Sequence, residues 1–240
     1  MTQLNTAALI KKLIADIQAG ALTDAHHKLP AEPELMAHYQ VTRYTLRQAL
    51  QSLSKMGYTY QAHGVGTFVR PQQAGSIALA HHGGLTAEMA RLGSKLTTTK
   101  AEAAPTTLAQ AAFQPSEATL AADDPLTAVT RLRAKDGQPY LMEQSYYRQT
   151  IIKTIPETAL YGSLFNYCEA QRDSRIGWID QVIMSEPLPE VAAEYLNLPV
   201  GAPCLVVQDE TYLSTGELLA FSKQYYDYRQ AKFFMVKKVH

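Results

Sequence analysis

Residues 29–57 decide the fold of the first part of the chain, and they read LPAEPELMAHYQVTRYTLRQALQSLSKMG. Their apolar residues recur at helical spacing in two successive runs, around Leu35 in the first and around Leu46 in the second. Gln40 lies in the short turn between the runs, and Thr42 is a natural N-cap for the second run. The stretch therefore predicts two short helices joined by a tight turn.

Further secondary structure flanks this pair of helices. The apolar residues of segment 10–17 fall on one face of a preceding helix, which Gly20 is placed to end. Two β-rich runs, 58–60 and 67–69, enclose a loop with two glycines, a pattern typical of a hairpin. Three helices and a hairpin predict a winged helix-turn-helix domain over residues 1–70.

The start of the third helix carries residues suited to DNA. In a helix-turn-helix, the second helix of the pair presents its N-terminal residues to base edges in the major groove. Arg43 and Arg47 are four residues apart, so they share a face opposite the leucine stripe, and arginine reads guanine at O6 and N7. Thr42, Tyr44 and Thr45 can hydrogen-bond phosphates. The alternative is that the two arginines are merely solvated.

Charge and composition agree with a nucleic-acid-binding head. Residues 1–70 contain seven Lys or Arg and four Asp or Glu, whereas the remainder contains 15 and 18. The two cysteines, Cys168 and Cys204, are too few and too far apart for a disulfide framework or a zinc ribbon, and we expect core thiols. The sequence has neither a membrane-spanning run nor a signal region, so we expect a soluble cytoplasmic protein.

A second domain follows a linker at residues 71–76, which gives the domain division 1–70, 71–76 and 77–240. The expected elements beyond the linker are helices near 86–92, 163–169 and 190–197, and strands near 128–133, 140–147, 177–185, 204–212, 218–226 and 232–239. Asp136-Gly137 and Thr215-Gly216 lie between strands and are hairpin signals. Adjacent hairpins predict an antiparallel sheet with helices packed on it, so the fold class is α+β.

Two arginines in this second domain suggest an anion site. Arg131 and Arg133 are two residues apart on a strand, so both project from one sheet face. They repel each other unless an anion, or a carboxylate such as Glu143, lies between them. Ser163 precedes a helix, and a capped helix N-terminus favours anions. The alternatives are a surface salt bridge for Arg131 and a purely structural cap at Ser163.

The first domain resembles the GntR family of bacterial transcription regulators. The family signature is close to L-P-S-E-R-x-L-A-x-x-x-G-V-S-R-x-T-V-R-x-A-L-x-x-L-x-x-x-G, followed by a wing that ends in G-x-G-T-F-V. The matching residues are Leu29, Pro30, Glu32, Leu35, Val41, Arg43, Thr45, Arg47, Ala49, Leu50, Leu53, Gly57, Gly64, Gly66, Thr67, Phe68 and Val69. Ala31 departs from the usual N-capping Ser, and Pro33 from a base-contacting Arg of many members. Gln40 departs from a Gly, which implies a positive φ.

The resemblance also implies a role for the wing. In family members a residue at the wing tip reaches the minor groove, and His63 is placed to do so here. Gly64 and Gly66 permit the backbone to approach DNA closely. The alternative for His63 is a solvated loop residue.

Residues 77–239 resemble the UTRA effector-binding domain of the HutC subfamily, whose fold is like that of chorismate lyase. The landmarks are Leu85, Thr86, Met89, Leu92, Gly93, Arg131 to Arg133, Asp136, Gly137, Pro139, Glu143, Tyr146, Tyr147, Ser163 to Phe165, Tyr212, Gly216 and the strands 225–234. The resemblance implies an antiparallel sheet domain that binds an effector and dimerises the chain.

The same resemblance implies a set of effector-binding residues. HutC-type sensors of sugar phosphates bind the phosphate with the residues that match Thr86, Arg131, Arg133, Ser163 and Phe165, and cover the sugar with those that match Glu143 and Tyr226. Ala220 stands where those sensors carry a second Glu. The anionic half of the site is therefore expected intact, and the polyol half is not.

Catalysis, cofactor binding and metal binding are not expected. The sequence has no Ser/His/Asp arrangement and no metal-ligand spacing, and the pairs His26-His27 and His81-His82 lie in loops. The sequence predicts a regulator, in the favoured case a repressor, that binds a palindromic operator as a homodimer. A small anionic metabolite, with a sugar phosphate favoured, would release it. The alternatives are a second domain that only dimerises and a sensor of a small carboxylate.

Overall fold

The computed structural model describes residues 4–55, 57–70, 76–78, 84–116, 120–171 and 175–235. Contacts group these residues into two units. The first contains the described residues up to 78 together with 232–235, and the second contains those from 84 to 231. The predicted linker lies outside the described residues except for Ser76, which is buried, and so does the pair His81-His82.

The first unit begins as a winged helix-turn-helix. Its elements are α1 (Thr6–Gln18), α2 (Glu32–Tyr39), α3 (Arg43–Lys55), β1 (Thr59–Ala62) and β2 (Gly66–Val69). The strands β1 and β2 form an antiparallel hairpin. Leu13, Leu35 and Leu46 come from the three helices and are at most 2% exposed, so one leucine-rich core joins them. The predicted architecture is confirmed.

The two ends of α2 accommodate the departures from the family signature. Gln40 ends α2 in the left-handed conformation, with φ 53° and ψ 47°, which confirms the predicted positive φ. Ala31 offers no side-chain cap, but the carboxylate of Glu34 accepts from the Ala31 N–H at 3.1 Å. Pro33 lies in the first turn of α2, where a missing N–H costs no helical hydrogen bond.

A two-residue pairing connects distant parts of the first unit. The strands β3 (Ile77–Ala78) and β10 (Phe233–Phe234) pair in parallel. Of the strand predicted at 232–239, the described residues form a strand only at Phe233–Phe234. Residues 236–239 lie outside the described residues. The sequence division placed 77–78 and 232–235 in the second domain, whereas contacts group these two paired segments with the first unit.

The second unit is built on a six-stranded antiparallel sheet with the strand order β4-β5-β6-β9-β8-β7. Its strands are β4 (Leu96–Thr107), β5 (Pro125–Lys135), β6 (Gln138–Arg148), β7 (Ile176–Pro187), β8 (Pro203–Leu213) and β9 (Leu218–Tyr226). Its helices are α4 (Gly84–Arg91), α5 (Glu157–Tyr161), α6 (Leu164–Ala170) and α7 (Glu190–Leu196), with a 3₁₀ turn at Leu108–Gln110. The α+β class and both predicted hairpins are confirmed.

Two elements of this unit escaped the sequence analysis. The strand β4 consists mainly of Thr and Ala and contains Pro105, so it lacks the apolar alternation of a strand with one buried face. It lies at the edge of the sheet, where a proline is tolerated because one row of backbone groups has no ladder partner. The helix α5 has only five residues, too few for a periodic pattern.

The two faces of the sheet are covered by different helices. The helices α5 and α6 pack on the face that carries Val129 and Tyr147, and α7 packs on the other face against Met142 and Val206. Side chains alternate along a strand, so Arg131 shares the α5–α6 face with Val129. The sheet therefore presents this arginine beneath short helices.

Both cysteines lie in the core of the second unit, as predicted. Cys168 and Cys204 are buried and unbridged. Burial raises the pKa of Cys168 to about 12 and that of Cys204 to about 11, so neither thiol is a ready nucleophile. Among the described helices, none is long and apolar enough to cross a membrane.

Candidate DNA interface and anion site

The N-terminal end of α3, the recognition helix, presents a polar face. The side chains of Arg43 and Arg47 are 65% and 61% exposed, and Tyr44 is 74% exposed. Thr42 caps the helix, because its hydroxyl accepts from the Thr45 N–H at 3.2 Å. The structure thus brings the five residues predicted for α3 together on one exposed end, and their contacts with DNA stay a prediction.

A carboxylate that the sequence analysis did not assign to this face joins its two arginines. Glu32 accepts from Nε of Arg47 at 3.1 and 3.2 Å and from Nε of Arg43 at 3.4 Å. Sequence reasoning places Glu32 only in the first turn of α2, where the helix dipole favours acidic side chains. The packing of α2 against α3 brings Glu32 to the arginines. The local sequence around Glu32 contains no signal of this contact.

The wing is a hairpin with a glycine where it approaches Lys28. Tyr60 and Phe68 stack with ring centroids 5.4 Å apart, and the Arg70 guanidinium lies 4.9 Å from the Tyr60 centroid. Gly66 has φ 145°, and a Cβ built on it would lie 2.7 Å from Cε of Lys28. Lys28 therefore adds a cation beside the wing, which the sequence analysis missed.

His63 lies in the turn of the hairpin and is exposed. Gly64, beside it, has φ 73°. The predicted placement at the wing tip is thus observed, and a minor-groove contact by His63 stays a prediction.

A buried ion pair lies at the centre of the second unit. Arg131 on β5 stands directly opposite Glu143 on β6, and Arg131 Nη2 donates to Glu143 Oε2 at 2.6 Å. Arg131 Nη1 also donates to the carbonyl of Gly162 at 3.1 Å. Ser145 donates to the other oxygen of Glu143 at 3.0 Å. Of the two possibilities that the sequence left open, an anion or a carboxylate such as Glu143, the carboxylate is therefore present beside the arginines.

Arg133 shares the same carboxylate from a greater distance. Its Nη1 lies 3.8 Å from Glu143 Oε2, while its Nη2 donates to the hydroxyl of Thr86 on α4 at 2.6 Å. The side chains of Arg131 and Arg133 are 5% and 4% exposed. The buried Nε atoms of both have no hydrogen-bond partner within the described residues. The group thus holds two guanidiniums and one carboxylate.

The pKa values reflect this imbalance. Burial and the charge of Arg131 lower the pKa of Arg133 to about 10. Burial opposes the charged form of Arg131, but Glu143 raises the Arg131 pKa above its ordinary value. Burial also opposes the charged form of Glu143, yet the two arginines hold its pKa below the ordinary value. Arg133 is therefore the cation with the weakest compensation.

The remaining predicted residues lie around this group. Ser163 caps α6 by accepting from the Asn166 N–H at 3.2 Å and follows Gly162, whose carbonyl binds Arg131. A Cβ built on Gly84, where α4 begins, would lie 3.4 Å from Cβ of Phe165. The structure thus brings the start of α6 close to the start of α4, the helix that carries Thr86.

The predicted polyol side has an aromatic residue and an unexpected carboxylate. Tyr226 is buried on β9, and its hydroxyl donates to Gln224 Oε1 at 2.6 Å. Gln224 in turn donates to Asp209 Oδ2 at 2.8 Å. Burial raises the pKa of Asp209 to about 6. Ala220 is buried in the apolar cluster with Tyr147 and contributes no polar atom to this side.

The opposite face of the sheet contains a separate polar cavity of about 330 Å³. It is lined by Ser116, Asp180, Val182, Gln208, Glu210 and Tyr212. Glu210 is already bonded, because its two oxygens accept from the Ser116 N–H at 2.5 Å and the Tyr212 hydroxyl at 2.8 Å. Successive side chains of a strand point to opposite faces of the sheet, so Glu210 and its neighbour Asp209 in β8 lie on different faces. Asp209 shares the face of the arginines, and the cavity beside Glu210 therefore lies on the other face.

A winged helix-turn-helix with an exposed arginine face, joined to an α+β sheet unit, defines a DNA-binding transcriptional regulator. Two family models match the chain: that of bacterial regulatory proteins of the gntR family over residues 5–69, and that of the UTRA domain over residues 91–232. The chain therefore belongs to the GntR family of regulators that carry a UTRA domain, consistent with the HutC subfamily. This is a family of transcription regulators and not of enzymes.

Relatives from Bacillus subtilis match most of the chain. An uncharacterized HTH-type transcriptional regulator, YydK, is 28% identical over 86% of both chains. The HTH-type transcriptional regulator TreR is 26% identical over 92% of both. The HTH-type transcriptional repressor NagR is 25% identical over 91% of this chain and 88% of its own. The crystal structure of YydK covers 98% of this chain and 100% of its own, with a TM-score of 0.76 and 26% identity.

Proposed function

We propose that this regulator is a repressor that binds a palindromic operator as a homodimer and leaves it when a small anionic metabolite binds the second unit. A sugar phosphate is the favoured effector. The observation that carries the proposal is the pair of buried guanidiniums that, among the described residues, share the carboxylate of Glu143. A buried cation without full compensation favours binding of an anion. The name of the relative NagR, a transcriptional repressor, supports repression. We propose the cytoplasm as the place where the chain acts.

For operator recognition we propose that Arg43 and Arg47 read bases, with Thr42, Tyr44 and Thr45 on phosphates and His63 and Gly66 at the minor groove. The exposure of the two arginines supports this assignment. An operator can be selected from random duplex DNA with the full chain. Arg47→Ala should then weaken binding to the selected duplex by about 1–3 kcal/mol and leave binding to scrambled duplex nearly unchanged. Unchanged affinity for the selected duplex would contradict the placement of α3 in the major groove.

For the effector we propose an anion cradle formed by Thr86, Arg131, Arg133, Ser163 and Phe165, with Glu143 and Tyr226 toward the rest of the ligand. Arg133 is the surplus cation, so its charge is the one that an incoming phosphate or carboxylate would compensate. A ligand that binds only the native state raises the free energy of unfolding by about 2.7 kcal/mol at a hundred times its Kd. Thermal melting with inorganic phosphate, glucose 6-phosphate and citrate tests this.

The outcomes of that screen separate the alternatives. Stabilisation by glucose 6-phosphate or phosphate supports the favoured effector class, and stabilisation by citrate alone supports a small carboxylate. If no anion in an extended panel of sugar phosphates and carboxylates raises the melting temperature, the second unit only dimerises the chain.

Release from DNA is the functional test of the cradle. Arg133→Ala leaves the Arg131–Glu143 pair neutral, so the variant should fold, bind its operator and fail to leave it when the stabilising anion is added. Arg148→Ala removes an arginine that pairs with Glu217 elsewhere and serves as the matched control. Release of both variants at the effector concentration that releases the unmodified chain would place the ligand site elsewhere. If the anion weakens operator binding by a given factor, linkage requires the anion to bind the operator complex more weakly than the free protein by the same factor.

The edge strand β7 supports the homodimer. It has twelve residues, and Trp178, Ile179, Val182 and Ile183 are between 39% and 52% exposed. A long apolar edge invites another strand, and antiparallel pairing of β7 with the same strand of a second copy would satisfy both edges about a two-fold axis. Val182→Lys should give monomers in sedimentation at micromolar concentration, whereas Val191→Lys on α7 should not. A monomeric unmodified chain would refute the dimer.

A further inference from the structure

Glu32 is the inner member of a three-residue group on the recognition face. Its side chain is 26% exposed, whereas those of Arg43 and Arg47 are 65% and 61% exposed. It begins α2, and the turn at Gln40 brings it against the first turns of α3. One carboxylate thus holds two arginines that are one helical turn apart.

The atoms used in these contacts leave the reading edge available. Both arginines donate to Glu32 through Nε, the nitrogen next to the side-chain stem. A guanidinium has five N–H donors, so the four on the terminal nitrogens remain for a bidentate contact with guanine. An exposed arginine otherwise samples many rotamers, and the shared carboxylate restricts them before DNA arrives.

The negative charge of Glu32 weakens binding to DNA of any sequence. A carboxylate at a protein–DNA interface repels the phosphates and offsets part of the attraction of Arg43 and Arg47. This repulsion is the same for every sequence, whereas the orientation of the guanidiniums helps only where a guanine is in place. The orientation of the guanidiniums therefore raises the ratio of specific to non-specific affinity, whereas the repulsion lowers both affinities alike.

We propose that Glu32 is a positioning residue that raises operator specificity by orienting Arg43 and Arg47. The inference rests on the proposed placement of α3 against base edges. It assigns to this acid a role distinct from that of Glu34, the other acid of the same helical turn, which bonds the Ala31 N–H instead.

The test compares Glu32→Gln with Glu34→Gln in the full chain. Both substitutions remove one negative charge from the first turn of α2, so their effects on the helix dipole match. Affinities for the selected operator duplex and for a scrambled duplex are measured over a range of salt concentrations. Glu32→Gln should tighten binding to scrambled DNA and lower the specificity ratio about tenfold, while Glu34→Gln should leave the ratio within about twofold of the unmodified chain.

A double-mutant cycle tests whether Glu32 acts through the arginines. In an Arg47→Ala background, Glu32→Gln should lower the ratio by much less than tenfold, because one of its two partners is gone. An unchanged ratio in Glu32→Gln, or an equal loss in Glu34→Gln, would overturn the inference. If Arg47→Ala itself leaves operator binding unchanged, the proposed function has failed and not only the role of Glu32.

Discussion

Replacing Glu143 by Gln removes the charge between two buried guanidiniums and keeps the size of the side chain. Glu143 Oε2 lies 2.6 Å from Arg131 Nη2 and 3.8 Å from Arg133 Nη1, and the three side chains are between 4% and 10% exposed. An amide oxygen can still accept one hydrogen bond. The substitution therefore tests the charge and not the packing.

The expected cost follows from this burial. Breaking a buried ion pair by removing one partner costs about 3–5 kcal/mol, because an uncompensated charge stays in the interior. Here two cations lose one anion, so we expect a loss in the upper part of that range. The pair of Arg148 with Glu217, whose carboxylate side chain is 43% exposed, provides the contrast. Glu217→Gln should cost about 0–1 kcal/mol.

Urea unfolding in a chloride buffer at pH 7 measures both costs. Trp178, the single tryptophan of the chain, lies in β7 and reports on the second unit by fluorescence. Inorganic phosphate should restore part of the stability lost in Glu143→Gln, because an anion can take the place of the carboxylate. Equal losses in Glu143→Gln and Glu217→Gln would refute the buried-charge argument. The absence of any recovery with phosphate would count against the anion cradle.

The dependence on pH gives an independent check. The arginines hold the folded-state pKa of Glu143 below its ordinary value of 4.5, although burial acts the other way. A carboxylate with a depressed pKa contributes stability that is fully present above the unfolded value and is lost as the pH falls through the folded value. The difference between the unmodified chain and Glu143→Gln should therefore persist from pH 7 to about pH 5 and shrink below it.

Two further substitutions have predictable signs. Burial raises the pKa of Asp209 from 3.8 to about 6, so its ionisation destabilises the folded state as the pH rises between these values. Asp209→Asn should stabilise the chain at pH 7 by up to about 3 kcal/mol and have little effect at pH 4, as measured by urea unfolding. Gln40→Gly should stabilise the chain by about 1 kcal/mol in thermal melting, because φ 53° strains a side chain at that position. A destabilised Gln40→Gly would contradict this view of the turn.

Local sequence signals predicted the elements that carry their own periodicity or turn chemistry. The leucines of α3 define its buried face, and the glycine of Asp136-Gly137 allows the β5–β6 hairpin, where it adopts φ 84°. The edge strand β4 has no such signal, because edge position and partner strand, not apolar alternation, stabilise it. The pairing of β3 with β10 depends on two segments far apart in sequence, which periodicity does not encode.

The candidate sites divide in the same way. The spacing of Arg131 and Arg133 predicted their common face, and strand register supplied the directly opposed Glu143. The contact of Glu32 with Arg47 depends on the angle at which two helices pack, and the contact of Lys28 with Gly66 on the path of a loop. Contacts of this kind follow from tertiary geometry and have no local spacing that a sequence analysis could detect.

The two candidate sites use one arrangement at different depths. In each, two arginines on one face share one carboxylate: Glu32 of α2 beside the recognition helix and Glu143 in the sheet. Around Glu32 the arginines are exposed, so solvent screens the pair and its contribution to stability is small, about 0–1 kcal/mol. DNA can therefore compete for these guanidiniums at little cost. Around Glu143 burial makes each charge expensive to leave unpaired, so binding of an anion there couples to the stability of the whole sheet unit. The exposed group is suited to reading DNA and the buried group to sensing an anion.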